Sequence, residues 1–233
     1  ICNVKLAEIS ELNGDFGFAE KFYQEASKFA SKSEKKDLQQ NALASINSAA
    51  ETLLNNGNAE VAAAEYLRLA KELENTNVEK SIGFMLRAID VYKNINEYQK
   101  AIDLFLQIAD LRQNKNEILA AFSGAWSISD SLAENADLLS AITLWKQSEN
   151  LRNQFIKKYK KSNEAYILRR QIIEFYENYQ FNDKEKAAKM YIKLHNNASE
   201  MNLGEDSKEA VFAKAILIYE ELKDEAKMVD LIV

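Results

Sequence analysis

The chain has 233 residues, of which 36 are Asp or Glu and 30 are Lys or Arg, and its formal net charge is −6. This acidic balance argues against a general affinity for nucleic acid or for an anionic membrane. The single cysteine, Cys2, excludes an intrachain disulfide, and no stretch approaches the roughly 18 consecutive apolar residues of a membrane span. We therefore expect no nucleic-acid partner and no membrane span.

Proline is absent from the sequence, and glycine occurs six times. Average usage near 5% would give roughly a dozen prolines in a chain of this length. Because proline breaks helix interiors and glycine weakens them, their scarcity favours long helices joined by turns of other residues. Asparagine recurs at those turns, and the composition predicts an all-helical chain.

Polar, asparagine-rich segments divide the chain into stretches of about 12 to 25 residues. In chain order these segments are Asn13-Gly14, Ser31 to Glu34, Asn55 to Asn58, Asn75 to Asn77, Asn94 to Asn96, Asn114 to Asn116, Glu134-Asn135, Ser162-Asn163, Asn182-Asp183, Asn202 to Gly204 and Lys223-Asp224. Between them, apolar residues recur every three or four positions, as Phe18, Phe22 and Ala26 do. This is the period of an α-helix, so the pattern predicts about twelve helices and essentially no strand.

Alternate helices share one local pattern, in which an alanine is followed one turn later by an aromatic residue. The alanines of successive repeats are Ala19, Ala62, Ala101, Ala141, Ala187 and Ala226. The aromatic residues that follow the first five are Tyr23, Tyr66, Phe105, Trp145 and Tyr191. A spacing of about 40 residues, held along the whole chain, predicts stacked helix-turn-helix units.

The packing of such units explains why these residue types recur. Two antiparallel helices approach closely only where a small side chain faces the partner, and an aromatic side chain one turn on fills the gap to the next repeat. We therefore expect Ala19, Ala101, Ala141 and Ala187 to be buried at helix contacts and Trp145 to lie in the core. A compact helical bundle also uses alanine and aromatic residues at helical spacing, but it has no reason to repeat the pattern in order.

The sequence thus predicts an all-α fold, a right-handed α-solenoid of about six antiparallel helix-turn-helix repeats, in one domain spanning residues 1–233. The chain begins at Ile1 without a methionine, so we expect it to be a segment of a longer protein. It ends in an apolar helix without a polar cap. Because solenoids need polar terminal surfaces, we expect Leu231 and Ile232 to pack on another copy of the chain or on further sequence.

Two segments, Gly14 to Ala26 and Asn94 to Ala109, resemble the second helix of a tetratricopeptide repeat, which places Gly-Asp-Tyr before Ala, Tyr or Phe, and Ala at these spacings. The chain departs from that family in lacking the proline at the repeat end and in exceeding its period of roughly 34 residues. Longer-period relatives include the SNAP proteins, soluble adaptors of vesicle-fusion disassembly. The segments Glu60 to Ala70 and Glu185 to Tyr191 resemble their A-A-x-x-Y-x-x-A-A runs.

The SNAP resemblance implies a cytoplasmic adaptor that offers a basic face to acidic helical bundles. SNAP proteins also have an apolar membrane-touching loop near the N-terminus and a leucine-terminated acidic tail for the disassembly ATPase. Neither feature is visible in this sequence.

Residues that carry catalysis or bind cofactors are sparse. His195 lies near a predicted helix end without a neighbouring Cys or second His, so we expect it to complement the helix end rather than to bind metal. Cys2 has no histidine partner nearby and is expected to be a small buried hydrophobe. The scattered glycines form no phosphate-binding loop. We expect no enzyme activity, no metal and no cofactor.

Basic residues are concentrated between Arg152 and Arg170, where Glu164 is the only acid. Such a run is able to contact an anionic partner. Lysines near a helix C-terminus also complement its dipole, and we favour a solvated helix end.

Three functions stay open. We favour a non-catalytic scaffold that binds a peptide or helix of another protein in its concave groove. A SNAP-like adaptor in vesicle fusion is the second, and a repeat regulator that senses a peptide is the third. The charge of the concave face separates the first two, and an appended output domain would indicate the third.

In a tetratricopeptide repeat, the first helix lines the concave groove. The resemblance to that family implies that the residue eleven positions before each landmark alanine points into the groove. Those residues are Glu8, Glu51, Asp90, Asp130 and Tyr176, with Trp126 and Ile172 as apolar contacts one turn earlier. Four acids in register predict a negatively charged ladder that attracts a Lys/Arg-rich partner.

Overall fold

A computed structural model describes residues 2–177, 181–197 and 205–232. Within the last range it describes the side chains of residues 207–228 only. Within these ranges all regular structure is α-helical, in twelve helices. This confirms the all-helical solenoid class. The chain divides into two compact units, Ile1–Gln113 and Asn114–Val233. The prediction of a single domain stays a prediction.

Unit 1 contains six helices, each packed on the next along the chain. They are α1 (Cys2–Leu12), α2 (Phe16–Ser27), α3 (Lys32–Asn55), α4 (Ala59–Leu73), α5 (Val78–Asn94) and α6 (Tyr98–Leu111). Unit 2 follows the same order of packing. Its helices are α7 (Lys115–Glu134), α8 (Leu138–Lys158), α9 (Asn163–Glu177), α10 (Lys184–Asn196), α11 (Glu205–Glu221) and α12 (Glu225–Ile232).

The turns lie where the polar segments predict them. Ser31 caps α3 in a capping box, since its side chain accepts from the Glu34 amide and the Glu34 carboxylate accepts from the Ser31 amide. Asn96 and Gly57 have φ angles of 63° and 80°, a left-handed backbone that asparagine and glycine tolerate best. The predicted turn at 202–204 lies outside the described residues.

Four of the six landmark alanines lie in the core, whereas Ala141 is half-buried and Ala226 is exposed. Ala19, Ala101 and Ala187 are fully buried, which confirms the close helix contacts expected of them. Ala141 is only half-buried, so that expectation was wrong. Ala19, Ala101 and Ala187 occupy the same turn of their own helices, so the difference lies in coverage: neighbouring helices leave the start of α8 partly uncovered, and Leu138 and the two residues after it are exposed.

The aromatic residues of the pattern fill the space between helices. Trp145 is buried and its ring centre lies 4.6 Å from that of Phe175, which confirms its predicted core position. Cys2 is exposed, contrary to expectation. The side chains of Leu231 and Ile232 lie outside the described residues. Among the described helices, none is long and apolar enough to cross a membrane.

Candidate protein-binding surface

A cavity of about 370 Å³ lies between α3 and α5 in unit 1. Its lining residues are Leu43, Ala44, Asn47, Lys80, Gly83, Phe84 and Arg87, and we call them the α3/α5 surface. The floor is apolar, with Leu43 and Phe84 half-buried, and the edge carries two cations. This arrangement is suited to an amphipathic helix, because apolar side chains fill the floor and charged groups contact its rim.

Arg87 is held in place by three kinds of contact. Its Cζ atom lies 5.8 Å from the Tyr66 ring centre and 5.9 Å from that of Phe84. It donates a hydrogen bond to the side-chain oxygen of Asn47, and its Nη1 is 3.6 Å from a carboxylate oxygen of Glu51. Aromatic faces attract a guanidinium without neutralising its charge, so Arg87 is positioned while half of its side chain stays exposed.

The acids predicted for the groove in unit 1 are solvent-exposed. Glu8 lies on α1, Glu51 on α3 and Asp90 on α5. Glu51 accepts a hydrogen bond of 2.8 Å from Asn47 and is paired with Arg87 of the next repeat. The structure therefore brings one acid of the proposed ladder against a cation of the α3/α5 surface, and this pairing offsets part of the ladder's negative charge.

The residues predicted for the groove in unit 2 are largely buried. Trp126, Ile172 and Tyr176 are 7%, 2% and 6% exposed, so the expectation that they contact a partner was wrong. Such side chains have almost no surface to offer, because neighbouring helices cover the face on which they lie. Asp130 is already paired within the chain, because its carboxylate binds Arg152 at 2.7 Å.

The hydroxyl group of the buried Tyr176 has a hydrogen-bond partner within the chain. This hydroxyl donates a hydrogen bond of 2.6 Å to Glu149 of α8, and the Tyr176 ring stacks on Phe181 with centres 4.7 Å apart. Burial, followed by the hydrogen bond to Glu149, raises the pKa of the hydroxyl above its ordinary 10. The residue is a packed link between α8 and α9 rather than a binding residue.

The basic run of unit 2 divides into two parts. Arg152 is buried in the core, contrary to the solvated position expected for the run. The lysines that follow are exposed around the end of α8, as expected; they are Lys157, Lys158, Lys160 and Lys161. The buried arginine was missed because its partner, Asp130, lies on the preceding helix.

Sequence reasoning also missed the residues of the α3/α5 surface. Lys80, Phe84 and Arg87 are four and three positions apart, and this spacing places them on one face of a helix. This spacing therefore indicates a shared face in the sequence alone, but the register counted from the landmark alanines selects Asp90 instead.

Within the described ranges, no group of three or more His, Cys, Asp or Glu residues is arranged to hold a metal ion. His195 lies at the end of α10, with its Nδ1 atom 3.0 Å from the carbonyl oxygen of Lys208 and its ring 4.9 Å from that of Phe212. These contacts make His195 a link between α10 and α11.

Residues 2–139 match the model of the family described as soluble NSF attachment protein, SNAP. The matched segment is more than half of the chain and includes unit 1 and α7. It contains the run from Glu60 to Ala70, on which part of the resemblance rests. Comparison with individual curated proteins gives no match. With helical repeats throughout the described residues and this match over its N-terminal part, the chain belongs to the soluble NSF attachment protein (SNAP) family.

Proposed function

We propose that this chain is a SNAP-type adaptor of vesicle fusion that holds an acidic helical bundle against the α3/α5 surface. The observation that carries the proposal is the placement of Lys80 and Arg87 on either side of the half-buried Phe84, at the edge of the cavity between α3 and α5. Family membership supports the adaptor role, because the family's name describes attachment of NSF.

The physical argument concerns how charge and apolar surface are combined. Outward-facing carboxylates on a helical bundle pair with Lys80 and Arg87, while an apolar side chain of the same helix enters the cavity beside Phe84. Exposed ion pairs contribute little affinity alone, but they steer encounter and select the sign of the partner's charge. The apolar contact then supplies most of the binding free energy.

A second candidate uses the opposite charge. Glu51 and Asp90 are both exposed on these two helices, and a Lys/Arg-rich partner would contact them. Glu51 is already paired with Arg87, so its charge is partly compensated. The pairing offsets the charge of Arg87 equally, but Lys80 and Arg87 line the cavity beside Phe84, whereas Glu51 and Asp90 do not. For this reason the acidic partner is favoured, and the basic partner is the alternative that the experiment decides.

The experiment measures binding of the chain to two designed four-helix coiled coils, identical except that the outward positions carry Glu in one and Lys in the other. The Glu-surfaced bundle is expected to bind, and the double variant Lys80→Glu/Arg87→Glu is expected to weaken it about tenfold or more. The variant Glu51→Lys/Asp90→Lys is expected to bind it more tightly.

The matched control is Lys71→Glu/Lys93→Glu, which changes the net charge equally at exposed lysines outside the α3/α5 surface. It is expected to alter affinity by less than about twofold. Preferential binding of the Lys-surfaced bundle, weakened by Glu51→Lys/Asp90→Lys, would instead establish the alternative.

A further inference from the structure

A larger cavity, of about 780 Å³, lies on a different part of unit 1. Helices α2 and α4 form its walls and α3 forms its floor, and it shares no lining residue with the α3/α5 surface. We call it the α2/α4 groove. The two surfaces are therefore able to take different partners.

The groove has apolar surface that the fold itself does not cover. Leu53 of α3 lies half-buried on its floor beside Ile46, which the fold buries, and Phe16 and Phe18 of α2 line one wall. Phe18 is 60% exposed. An exposed aromatic side chain beside other apolar groups, within a groove bordered by charges, is typical of a protein-binding site.

The rim of the groove carries more acids than bases. Four lining residues are acidic, namely Asp15, Glu20, Glu65 and Glu72, and two are basic, namely Lys21 and Arg68, which gives the lining a formal charge of −2. The side-chain ammonium of Lys21 lies 5.6 Å from the ring centre of Phe18.

Arg68 is shared by three of these carboxylates. It donates to Glu20 across the groove at 3.0 and 3.1 Å, to Glu65 at 3.0 Å and to Glu72 at 2.7 Å. One guanidinium cannot neutralise three carboxylates. Glu65 and Glu72 are also partly exposed, so each keeps oxygen lone pairs that are able to accept hydrogen bonds from an incoming cation.

We propose that the α2/α4 groove docks an amphipathic helix of a partner protein that carries Lys or Arg beside an apolar anchor. The apolar anchor contacts Phe18 and the α3 floor, and the cationic side chains pair with Glu65 and Glu72. The excess negative charge of the rim selects against an acidic helix. This site is independent of the proposed function, since it takes a second partner, of opposite charge, on other residues.

The test uses a fluorescein-labelled amphipathic peptide of about 18 residues, built from Leu and Lys, and a twin with Glu in place of Lys. Binding to the whole chain is measured by fluorescence anisotropy at about 50 and 200 mM salt. The Lys peptide is expected to bind at least about tenfold more tightly than the Glu peptide, and more weakly at the higher salt concentration.

Two variants locate the site. Glu65→Gln/Glu72→Gln keeps the size of both side chains and leaves the Glu20–Arg68 ion pair intact, and it is expected to weaken binding of the Lys peptide at least about fivefold and to reduce its salt dependence. Phe18→Ser is expected to weaken binding by at least about fivefold without changing the salt dependence.

Matched controls separate these effects from general charge and hydrophobicity. Glu60→Gln/Glu74→Gln removes the same charge from exposed positions on or next to α4 but outside the groove, and Phe29→Ser removes a phenylalanine that is 86% exposed and lies outside it. Both are expected to stay within about twofold of the unmodified chain. Circular dichroism checks that each variant keeps its helix content.

Three results would overturn the proposal. The first is equal affinity for the two peptides, and the second is equal loss in the variants and their controls. The third is that Glu51→Lys/Asp90→Lys weakens binding of the Lys peptide while Glu65→Gln/Glu72→Gln leaves it unchanged. The peptide would then bind the α3/α5 surface rather than the α2/α4 groove. Failure of the proposed function is read separately, from the Lys80→Glu/Arg87→Glu variant and the Glu-surfaced bundle.

Discussion

Arg152 of α8 and Asp130 of α7 form an ion pair inside unit 2, with the Nη2 and Oδ2 atoms 2.7 Å apart. Arg152 is 5% exposed, and its Cζ atom lies 4.8 Å from the Trp126 ring centre and 5.0 Å from that of Phe175. Asp130 also accepts a hydrogen bond from Ser148. Among the residues that the structure describes, Asp130 is the one carboxylate that forms an ion pair with this buried guanidinium.

Replacement of Asp130 by alanine is therefore expected to destabilise unit 2. The change leaves Arg152 charged and without its carboxylate, and we expect the free energy of unfolding to fall by about 3 kcal/mol. This is the lower end of the usual range, because the Asp130 side chain is 22% exposed. Urea unfolding followed by circular dichroism measures the change. Glu174→Ala breaks a surface pair with Arg170 in the same unit, and an equal loss in that variant would contradict the prediction.

Ser129 is expected to reduce the stability of the fold. Its side-chain oxygen is buried and has no hydrogen-bond partner among the described residues. Replacement by alanine removes an unsatisfied polar group, so we expect the free energy of unfolding to rise by about 1 kcal/mol. Ser81 is equally buried but donates a hydrogen bond of 2.7 Å to the Ala70 carbonyl oxygen. Ser81→Ala is expected to lower stability, and the same sign in both variants would exclude this explanation.

Ala101 tests the close helix contact of the repeat. It is fully buried on α6, and a leucine at this position forces extra volume into a packed interface. We expect Ala101→Leu to lower the free energy of unfolding by about 1–3 kcal/mol. The control is Ala64→Leu, at an exposed position of α4 in the same unit, where stability should change little. An unchanged melting temperature for Ala101→Leu would show that the interface accommodates the larger side chain and that Ala101 does not mark a close helix contact.

Glu185 predicts a specific pH dependence. Its carboxylate accepts from Lys189 of α10 and from Lys227 of α12, and these two lysines, in that order of effect, lower its pKa from 4.5 to about 2. A carboxyl group whose pKa is lowered by folding stabilises the protein above its unfolded pKa, and this stability disappears as the pH falls through the folded value.

The measurement compares the unmodified chain with Glu185→Gln across this range. The chain is expected to melt at a higher temperature than the variant at pH 7, and the difference should shrink as the pH falls from about 4.5 towards 2. It should also shrink at high salt, because all three side chains are substantially exposed. A difference that persists unchanged at pH 2 would show that charge is not its cause.

Local features of the fold were predictable from the sequence because they depend on neighbouring residues. The capping box of Ser31 and Glu34 acts within four residues of one chain, and the left-handed turn at Asn96 depends on the conformational preference of one residue type. The repeat was visible for a similar reason, since the same packing requirement places a small residue such as Ala19 or Ala101 at the same point of its helix-turn-helix repeat. Family membership could be recognised from the same alanine and tyrosine spacing.

Burial of particular side chains was decided only by the tertiary structure. The repeat register gives the angle at which Trp126 or Tyr176 leaves its helix, but not which side chains of the neighbouring helices lie above it. Asp130 was placed on a binding face by this register, yet it is paired with Arg152, 22 residues away on another helix. Helical period determines the direction of a side chain, whereas its exposure depends on long-range packing that the period does not contain.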